Sequence, residues 1–436
     1  MAVAALDRAE TWSDDERRAA QWGRLFGALP ELLLANAFYR RKLADAGVSD
    51  VREITALADL EFTTKAELSQ DQTEHPPFGT NLTYSTDRYV RLHQTSGTTG
   101  RPLRILDTPD SWRWWRDCWR AIYRAAGVTA TDRVFFAFSF GPFIGFWSAF
   151  AGAEALGSLC ITGGAMSTSE RVAAIVATGA TVLMSTPTYA LRLAEAARQE
   201  GVDLVRSALR VSIHAGEPGA SIPATRERIE SELGVTAFDH TGATEVGAYG
   251  FSCEARDGVH VIESEFIAEV LDPVSGAARE DGEGELVMTN LGRWGMPAIR
   301  YRTGDRVRAV RGRCACGRTL LKLAGGISGR VDDMVIVRGV NVFPSSIEAI
   351  IRTFDEIAEY RVELVAVREM NELRCGIEPR PGAGVDLGER VATAIHRGLG
   401  IRCLVEMLPP GSLPRFEMKS KRFVRAPTSS SATLGS

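Results

Sequence analysis

Thr95-Ser96-Gly97-Thr98-Thr99-Gly100-Arg101-Pro102 is the stretch on which the reading of this 436-residue chain turns. Gly97 and Gly100 let the backbone turn tightly and approach a ligand closely. Successive N–H groups in such a loop form an anion-binding nest, and the hydroxyls of Thr95, Ser96, Thr98 and Thr99 add donors. That chemistry suits a polyphosphate. The loop lacks the G-x-x-x-x-G-K-[ST] spacing of the P-loop, and a run of small polar residues is also what a β-hairpin turn requires.

Working outward, residues 87–106 read as strand, Gly-rich turn and strand. Residues 14–47 read as helical, with Leu25, Leu29, Leu32 and Leu33 on one face. From 110 to 235, helical stretches alternate with the short apolar runs VFFAF, TVLMST and LRVSIHAG, which predicts an open α/β sheet. The region 258–312 is strand-like, with turns at Asp272-Pro273 and Asp281-Gly282, as in a small β-subdomain near 258–328. The pattern changes again around Gly329–Asp333. MVIVRG then reads as a strand, and Ile347, Ile350, Ile351 and Phe354 lie at i, i+3, i+4 and i+7 behind Pro344. The expected organisation is an α/β chain: a large N-terminal domain over 1–331 with mixed sheets, a small mobile α+β domain over 332–425, and a disordered tail over 426–436.

Composition excludes several classes. The balance of 51 basic against 55 acidic residues, a net charge of −4, leaves no basic footprint for a nucleic acid. The start, MAVAALDRAETWSDDERR, has no apolar core of a signal peptide. Val134–Ala153 is uncharged, but Gly141, Pro142 and Gly145 break it, so a buried strand, a turn and a buried helix are expected instead of a membrane span. Seven cysteines, an odd number without an export signal, point to a reducing cytoplasm.

TSGTTGRP resembles the phosphate-loop signature TSGTTGKP of the adenylate-forming enzymes. FYRRKLADAGV and DLEFTTKAEL look like the N-terminal region of the phenylacetate–CoA ligases. The likeness continues in order through HAGEPG (214–219), DHTGATEVG (239–247), GEGELVMTNL (282–291), YRTGD (301–305), GRVDDMVIVRGVNVFPSSIE (329–348) and LPRFEMKSKR (413–422). It covers nearly the whole chain. It implies ATP-dependent activation of a carboxylic acid as its acyl-adenylate, with coenzyme A as acceptor. A carrier-protein thiol or an amine as acceptor stays open, as does a non-catalytic nucleotide-binding protein, and a homodimer is implied.

Each motif can be given a physical task. A carboxylate beside a triphosphate is best explained as a Mg²⁺ ligand; the resemblance assigns this to Glu245 and puts Thr244 near the α-phosphate. Asp305 can accept hydrogen bonds from both ribose hydroxyls. The resemblance lays Glu217 and Pro218 along the adenine and adds Asp239, Thr241 and Arg330 to the nucleotide set, with Thr95, Ser96, Gly97, Thr98, Thr99 and Gly100. It makes Lys419 the catalytic lysine, a cation between carboxylate oxygen and α-phosphate, with Lys421 as second choice. Arg415, Lys419, Lys421 and Arg422 could instead form a solvated basic run. Asp332 matches the family's hinge, about which the small domain rotates between two half-reactions and brings the face near Gly339 over the site.

Cys253, His260, Cys314 and Cys316 make a set of three thiolates and one imidazole suited to a closed, structural Zn²⁺ site, and proteins similar to phenylacetate–CoA ligases carry such a cluster. Phe138, Phe140, Phe143 and Trp147, with Phe136 and Phe146, form an aromatic stretch where the family builds its acyl pocket. An aryl acid would stack there, although core packing reads the same way. His93 and His240 flank the nucleotide site, in acid–base or structural roles. Three positions depart from the family: Arg101 for the usual Lys, Thr241 where an aromatic residue is common, and Met418 for a small residue before the lysine.

Overall fold

The computed structural model describes residues 6–48, 50–95, 102–331, 335–338, 340–367, 370–416 and 422–425. Helix α1 (Asp14–Ala35) begins at Ser13, whose hydroxyl accepts from the Glu16 N–H while Glu16 reaches back, a capping box. The helix expected over 14–47 is two helices. Asn36 stops α1 and its side chain caps α2 (Ala37–Asp45) by accepting from the Tyr39 N–H. Leu25, Leu29 and Leu32 are buried, as their spacing requires. Helix α3 (Lys65–Glu74) leads to an antiparallel pair, β1 (Arg91–Gln94) and β2 (Arg104–Asp107), which flank the phosphate loop. Helix α4 (Pro109–Ala125) has Pro at its first position and buries Trp114, Trp115, Trp119 and Tyr123.

A βα alternation follows: β3 (Arg133–Phe136), α5 (Ile144–Leu156), β4 (Leu159–Thr162), α6 (Thr168–Ala177), β5 (Val182–Ser185), α7 (Pro187–Gln199), β6 (Val211–His214), α8 (Pro223–Leu233) and β7 (Thr236–Ala243). These strands are parallel in the order β4-β3-β5-β6-β7. Their interior strands are short and apolar because helices cover both faces. The Val134–Ala153 run divides between β3 and α5, and no described helix is long and apolar enough to cross a membrane.

At β7 the sheet changes character. Strands β8 (Gly247–Phe251), β9 (Gly258–Val261), β10 (Phe266–Leu271), β11 (Ala278–Arg279), β12 (Gly282–Asn290), β13 (Tyr301–Val310) and β14 (Lys322–Arg330) extend it in antiparallel pairs, giving a twelve-stranded sheet among the described residues.

The C-terminal segment builds a core of its own. Strands β15 (Val335–Val337) and β16 (Val340–Val342) form a hairpin before α9 (Pro344–Ile351). Strands β17 (Ile357–Val367) and β18 (Met370–Pro379), helix α10 (Leu387–Leu399), β19 (Cys403–Met407) and β20 (Phe423–Arg425) complete a sheet of order β19-β18-β17-β20. Val337, Ile347, Ile351, Val362, Ile377, Val391 and Ile395 pack between that sheet and the two helices. The tail over 426–436 lies outside the described residues.

Candidate active site

Parallel α/β sheets bind ligands beyond the carboxyl ends of their strands, and the sequence motifs gather there. Strand β6 ends at His214 and runs into Ala215-Gly216-Glu217-Pro218-Gly219, with Gly216 at φ +94°, a conformation that favours glycine. A side chain at Gly219 would run into Pro187. Glu217 Oε1 accepts the Thr188 N–H at 2.9 Å, so this loop is tied to the first turn of α7.

Strand β7 sits where the parallel and antiparallel parts meet. Its Asp239 is buried, accepting from the Ser221 hydroxyl and from the His240 N–H at 3.1 Å. Burial pushes its carboxyl up from 3.8 to about 6. The folded state therefore holds a proton that the unfolded state has already lost, and this contribution to stability is full below pH 4 and disappears as pH rises through 6. The shift corresponds to about 3 kcal/mol. Unfolding free energies of the protein and of Asp239→Asn, measured from pH 4 to 7, should differ by a term that falls over this window; a flat difference would exclude the protonated carboxyl. His240 Nδ1 lies 2.7 Å from the Gly250 carbonyl, which can only accept, so Nδ1 carries the proton. Burial lowers the pKa of His240 to about 4. His93 is lowered to about 4 by the same cause and stacks on Trp112. Both imidazoles are neutral near pH 7.

Glu245 lies in the turn after β7 and is buried. Its Oε1 accepts the Tyr301 hydroxyl at 3.2 Å and faces Lys65 Nζ at 3.2 Å. Burial holds the Tyr301 phenol well above its usual pKa, so it stays a donor. The backbone of this turn is fixed by Arg293, whose Nη1 donates to the Thr244 carbonyl at 2.6 Å. The same guanidinium is bidentate to Asp107, Nε to Oδ1 at 2.8 Å and Nη2 to Oδ2 at 2.6 Å, and both side chains are fully buried. Asp107 ends β2. One ion pair therefore joins the hairpin of the phosphate loop to the turn that carries Thr244 and Glu245. Neither Lys65 nor Arg293 is singled out by the sequence motifs. Lys65 lies within the DLEFTTKAEL segment, whereas nothing around Arg293 marks it.

Asp305 and Arg330 face each other in the β13–β14 register, Arg330 Nη1 donating to Asp305 Oδ1 at 3.3 Å. The Tyr249 hydroxyl reaches Asp305 Oδ2 at 3.5 Å. Thr95 is buried: its N–H donates to the Leu103 carbonyl and its Oγ1 accepts the Leu103 N–H, both at 3.0 Å, which closes the base of the phosphate loop. The Gln94 N–H donates to the Pro142 carbonyl at 2.8 Å, bringing the aromatic loop beside it. There Phe138 stacks on Phe146 at 3.6 Å and Phe140 meets Trp147 edge-on at 4.9 Å. Phe143 is half-buried at the start of α5, while Thr241 is buried in β7. Ser96, Gly97, Thr98, Thr99, Gly100, Asp332, Gly339, Lys419 and Lys421 lie outside the described residues.

Away from this site, one ligand atom from each of Cys253, His260, Cys314 and Cys316 lies within 4.8 Å of the others. The Cys253 and Cys314 sulfurs are 3.9 Å apart, and Cys316 Sγ is 3.6 Å from His260 Nε2. A tetrahedral zinc ion with bonds of about 2.3 Å to sulfur and about 2.05 Å to nitrogen requires separations of about 3.8 and 3.6 Å. His260 Nδ1 faces the Leu320 carbonyl at 3.4 Å, leaving Nε2 for a metal. Hydrogen bonding from Cys253 holds the Cys316 thiol far below its ordinary value. The donor set and its spacing fit zinc.

The comparisons with known proteins agree over nearly the full length. Residues 339–426 match the family of AMP-binding enzyme C-terminal domains. The chain is 35% identical to a phenylacetate-coenzyme A ligase of Escherichia coli (strain K12), covering 96% of each. It is 33% identical to one of Pseudomonas putida, again covering 96% of each. Among solved structures, a 2-hydroxyisobutyryl-CoA ligase in the postadenylation state with 2-HIB-AMP is similar at a TM-score of 0.91, with 30% identity over 96% of this chain and 91% of that one. The same ligase in the thioesterification state, with 2-HIB-AMP and CoA, matches at 0.73, with 31% identity and the same shares. The whole chain thus resembles the postadenylation structure more than the thioesterification structure.

Proposed function

Since this chain belongs to the phenylacetate–coenzyme A ligase family, we propose that it uses ATP to convert a carboxylic acid to its acyl-adenylate, releasing pyrophosphate, and then passes the acyl group to the thiol of coenzyme A, releasing AMP. The near-full-length likeness to coenzyme A ligases carries this reading. The aromatic loop beside the base of the phosphate loop, with Phe138, Phe140, Phe143 and Trp147, favours an aryl acid.

The residues divide the work. Asp305 accepts from the ribose hydroxyls, and Arg330 keeps its carboxylate oriented. Glu217, fixed by the Thr188 N–H, and Pro218 border the adenine, and Asp239 and Thr241 belong to the same nucleotide set. Glu245, oriented by Tyr301, would hold Mg²⁺ with the phosphates, a single carboxylate being enough for that ion. Lys65 shares the same carboxylate and keeps cationic charge at the phosphate side. Thr95, tied to Leu103, anchors the start of the motif from Ser96 to Gly100. Lys419 offsets the negative charge that develops between the attacking carboxylate and the α-phosphate.

The separate C-terminal core supports a body over 1–331, including the β-subdomain near 258–328, and a mobile domain over 332–425 hinged at Asp332. Cys253, His260, Cys314 and Cys316 would hold a structural zinc, and a reducing cytoplasm would keep their thiols available.

The test is acid-dependent ATP–pyrophosphate exchange with Mg²⁺ over a panel of aryl and alkyl acids. Exchange with aryl acids is expected, reduced about 10²- to 10³-fold in Lys419→Ala. Exchange that survives undiminished in the variant would remove Lys419 from the mechanism. Exchange with alkyl acids alone would remove the aryl assignment.

A further inference from the structure

We infer that Arg422 is a positioning residue for adenylation, a latch that holds the C-terminal domain against helix α7 while the first half-reaction runs; the inference rests on the ligase reading above. Arg422 follows Lys419 by three residues and precedes β20, which pairs with β17 through Val362 and Phe423. Its side chain is buried. Nε and Nη2 form a bidentate pair with Glu359 of β17, at 2.6 and 2.9 Å, and the guanidinium lies over the Tyr360 ring at 5.2 Å. Both of those partners belong to the C-terminal segment. Nη1 instead crosses to the body and donates to Thr188 Oγ1 at 3.0 Å.

Thr188 occupies the second position of α7, and its backbone N–H is the donor that holds Glu217. A single residue therefore separates Arg422 from the loop assigned to the adenine. The other end of the lysine-bearing segment meets the same helix. Arg415 Nη2 donates to Glu378 of its own sheet at 2.8 Å, and its Nε lies 3.7 Å from Glu195 of α7. Arg415 and Arg422, which bracket Lys419 in the sequence, thus both meet α7. Two lesser contacts continue the seam: Arg228 Nη1 to the Ile357 carbonyl and Arg380 Nη2 to Glu232, each at 3.3 Å.

The division of donors explains how such a latch could release. When the C-terminal domain turns away, Arg422 and Glu359 travel together, so the buried charge keeps its partner. Of the bonds that Arg422 makes, only the one to Thr188 breaks. Losing one hydrogen bond from a charged donor is enough to bias the equilibrium and small enough to reverse in each cycle. Had the carboxylate paired with the buried Arg422 stood in the body instead, each turnover would leave an unpaired buried charge; the divided pairs Arg415–Glu195 and Arg380–Glu232 are only part-buried.

Thr188→Val tests this, because it keeps the shape of the side chain and the backbone donor to Glu217 and removes only the acceptor. ATP–pyrophosphate exchange is expected to fall about tenfold, while thioester formation from supplied acyl-adenylate and coenzyme A stays within about twofold; tenfold in rate equals about 1.4 kcal/mol. Arg422→Gln should shift the two half-reactions in the same direction, and the double variant should lose no more exchange than Arg422→Gln alone. Equal losses in both half-reactions, or unaltered exchange, would overturn the latch. Small-angle scattering of the nucleotide-free protein supplies a readout that needs no substrate: Thr188→Val should move the curve toward a more extended arrangement, and superimposable curves would also overturn the latch. Wild-type protein silent in exchange toward every acid would count against the ligase reading alone, since the scattering comparison still decides the latch.

Discussion

Arg293→Met is expected to destabilise the protein by about 3–5 kcal/mol and to abolish most acid-dependent exchange. Its guanidinium and the Asp107 carboxylate are both fully buried, so truncating one leaves the other charged in a medium that cannot solvate it. The Thr244 carbonyl loses its donor at the same time, and the turn that aims Glu245 is released. Urea unfolding and exchange assays separate these consequences when Asp107→Leu is added. The double variant replaces the pair by apolar side chains, and buried pairs so replaced often recover their stability. Its unfolding midpoint should rise back toward that of the wild type. Exchange should remain low, because nothing then holds the Thr244 carbonyl. Recovery of both stability and exchange would show that Arg293 serves folding only.

This pair also marks where sequence reading stops. Short apolar runs such as TVLMST carry their own structural information, since a four-residue strand covered by helices needs no distant partner to be recognised. The loops that touch nucleotide are compact for a similar reason: TSGTTG, TGATE and YRTGD each place their reactive groups within a few residues. Arg293 and Asp107 are 186 residues apart, and they meet only because β2 and the segment after β12 pack against the same turn. Arg422 is another such case. In LPRFEMKSKR it looks like one more charge in a basic run, whereas the fold gives it Glu359 from one unit and Thr188 from the other. The break at Asn36 escapes sequence reading for a local reason. An asparagine is tolerated inside a helix, and only its bond to the Tyr39 N–H, with the side-chain donors to Asn81 and Thr83, makes it a boundary. Motif chemistry is thus readable in the sequence, whereas the groups that hold motifs in register depend on sheet order and have no local signature.

Removing the metal from the Cys253–His260–Cys314–Cys316 cluster should destabilise the β-subdomain by several kcal/mol and leave the parallel strands folded. Cys253 follows β8, His260 lies on β9, and Cys314 and Cys316 belong to the turn between β13 and β14, so a shared ion would cross-link three chain segments. Free energies of metal binding at structural zinc sites reach about 10–16 kcal/mol in isolated peptides. Here the loss should be smaller, because Phe251, Val259 and Leu323 pack the same strands without help from a metal. Purified protein should contain one zinc per chain, and cobalt in its place should give the ligand-field bands of a tetrahedral thiolate site. Cys316→Ser leaves three ligands and should lower both the zinc content and Tm, the latter by about 5 °C or more. Acid should release the metal, because the thiolates and the imidazole must shed their protons to bind it. Hydrogen exchange locates the damage: protection should fall in β9 and β14 and persist in β5 and β6. A chain that holds no zinc after expression with the metal in excess, and whose Tm is unmoved in Cys316→Ser, would reduce the cluster to packed thiols. Loss of protection throughout the parallel strands would instead make the ion a condition for folding the whole body, because β8 and β9 are the link by which the antiparallel half of the sheet joins β7.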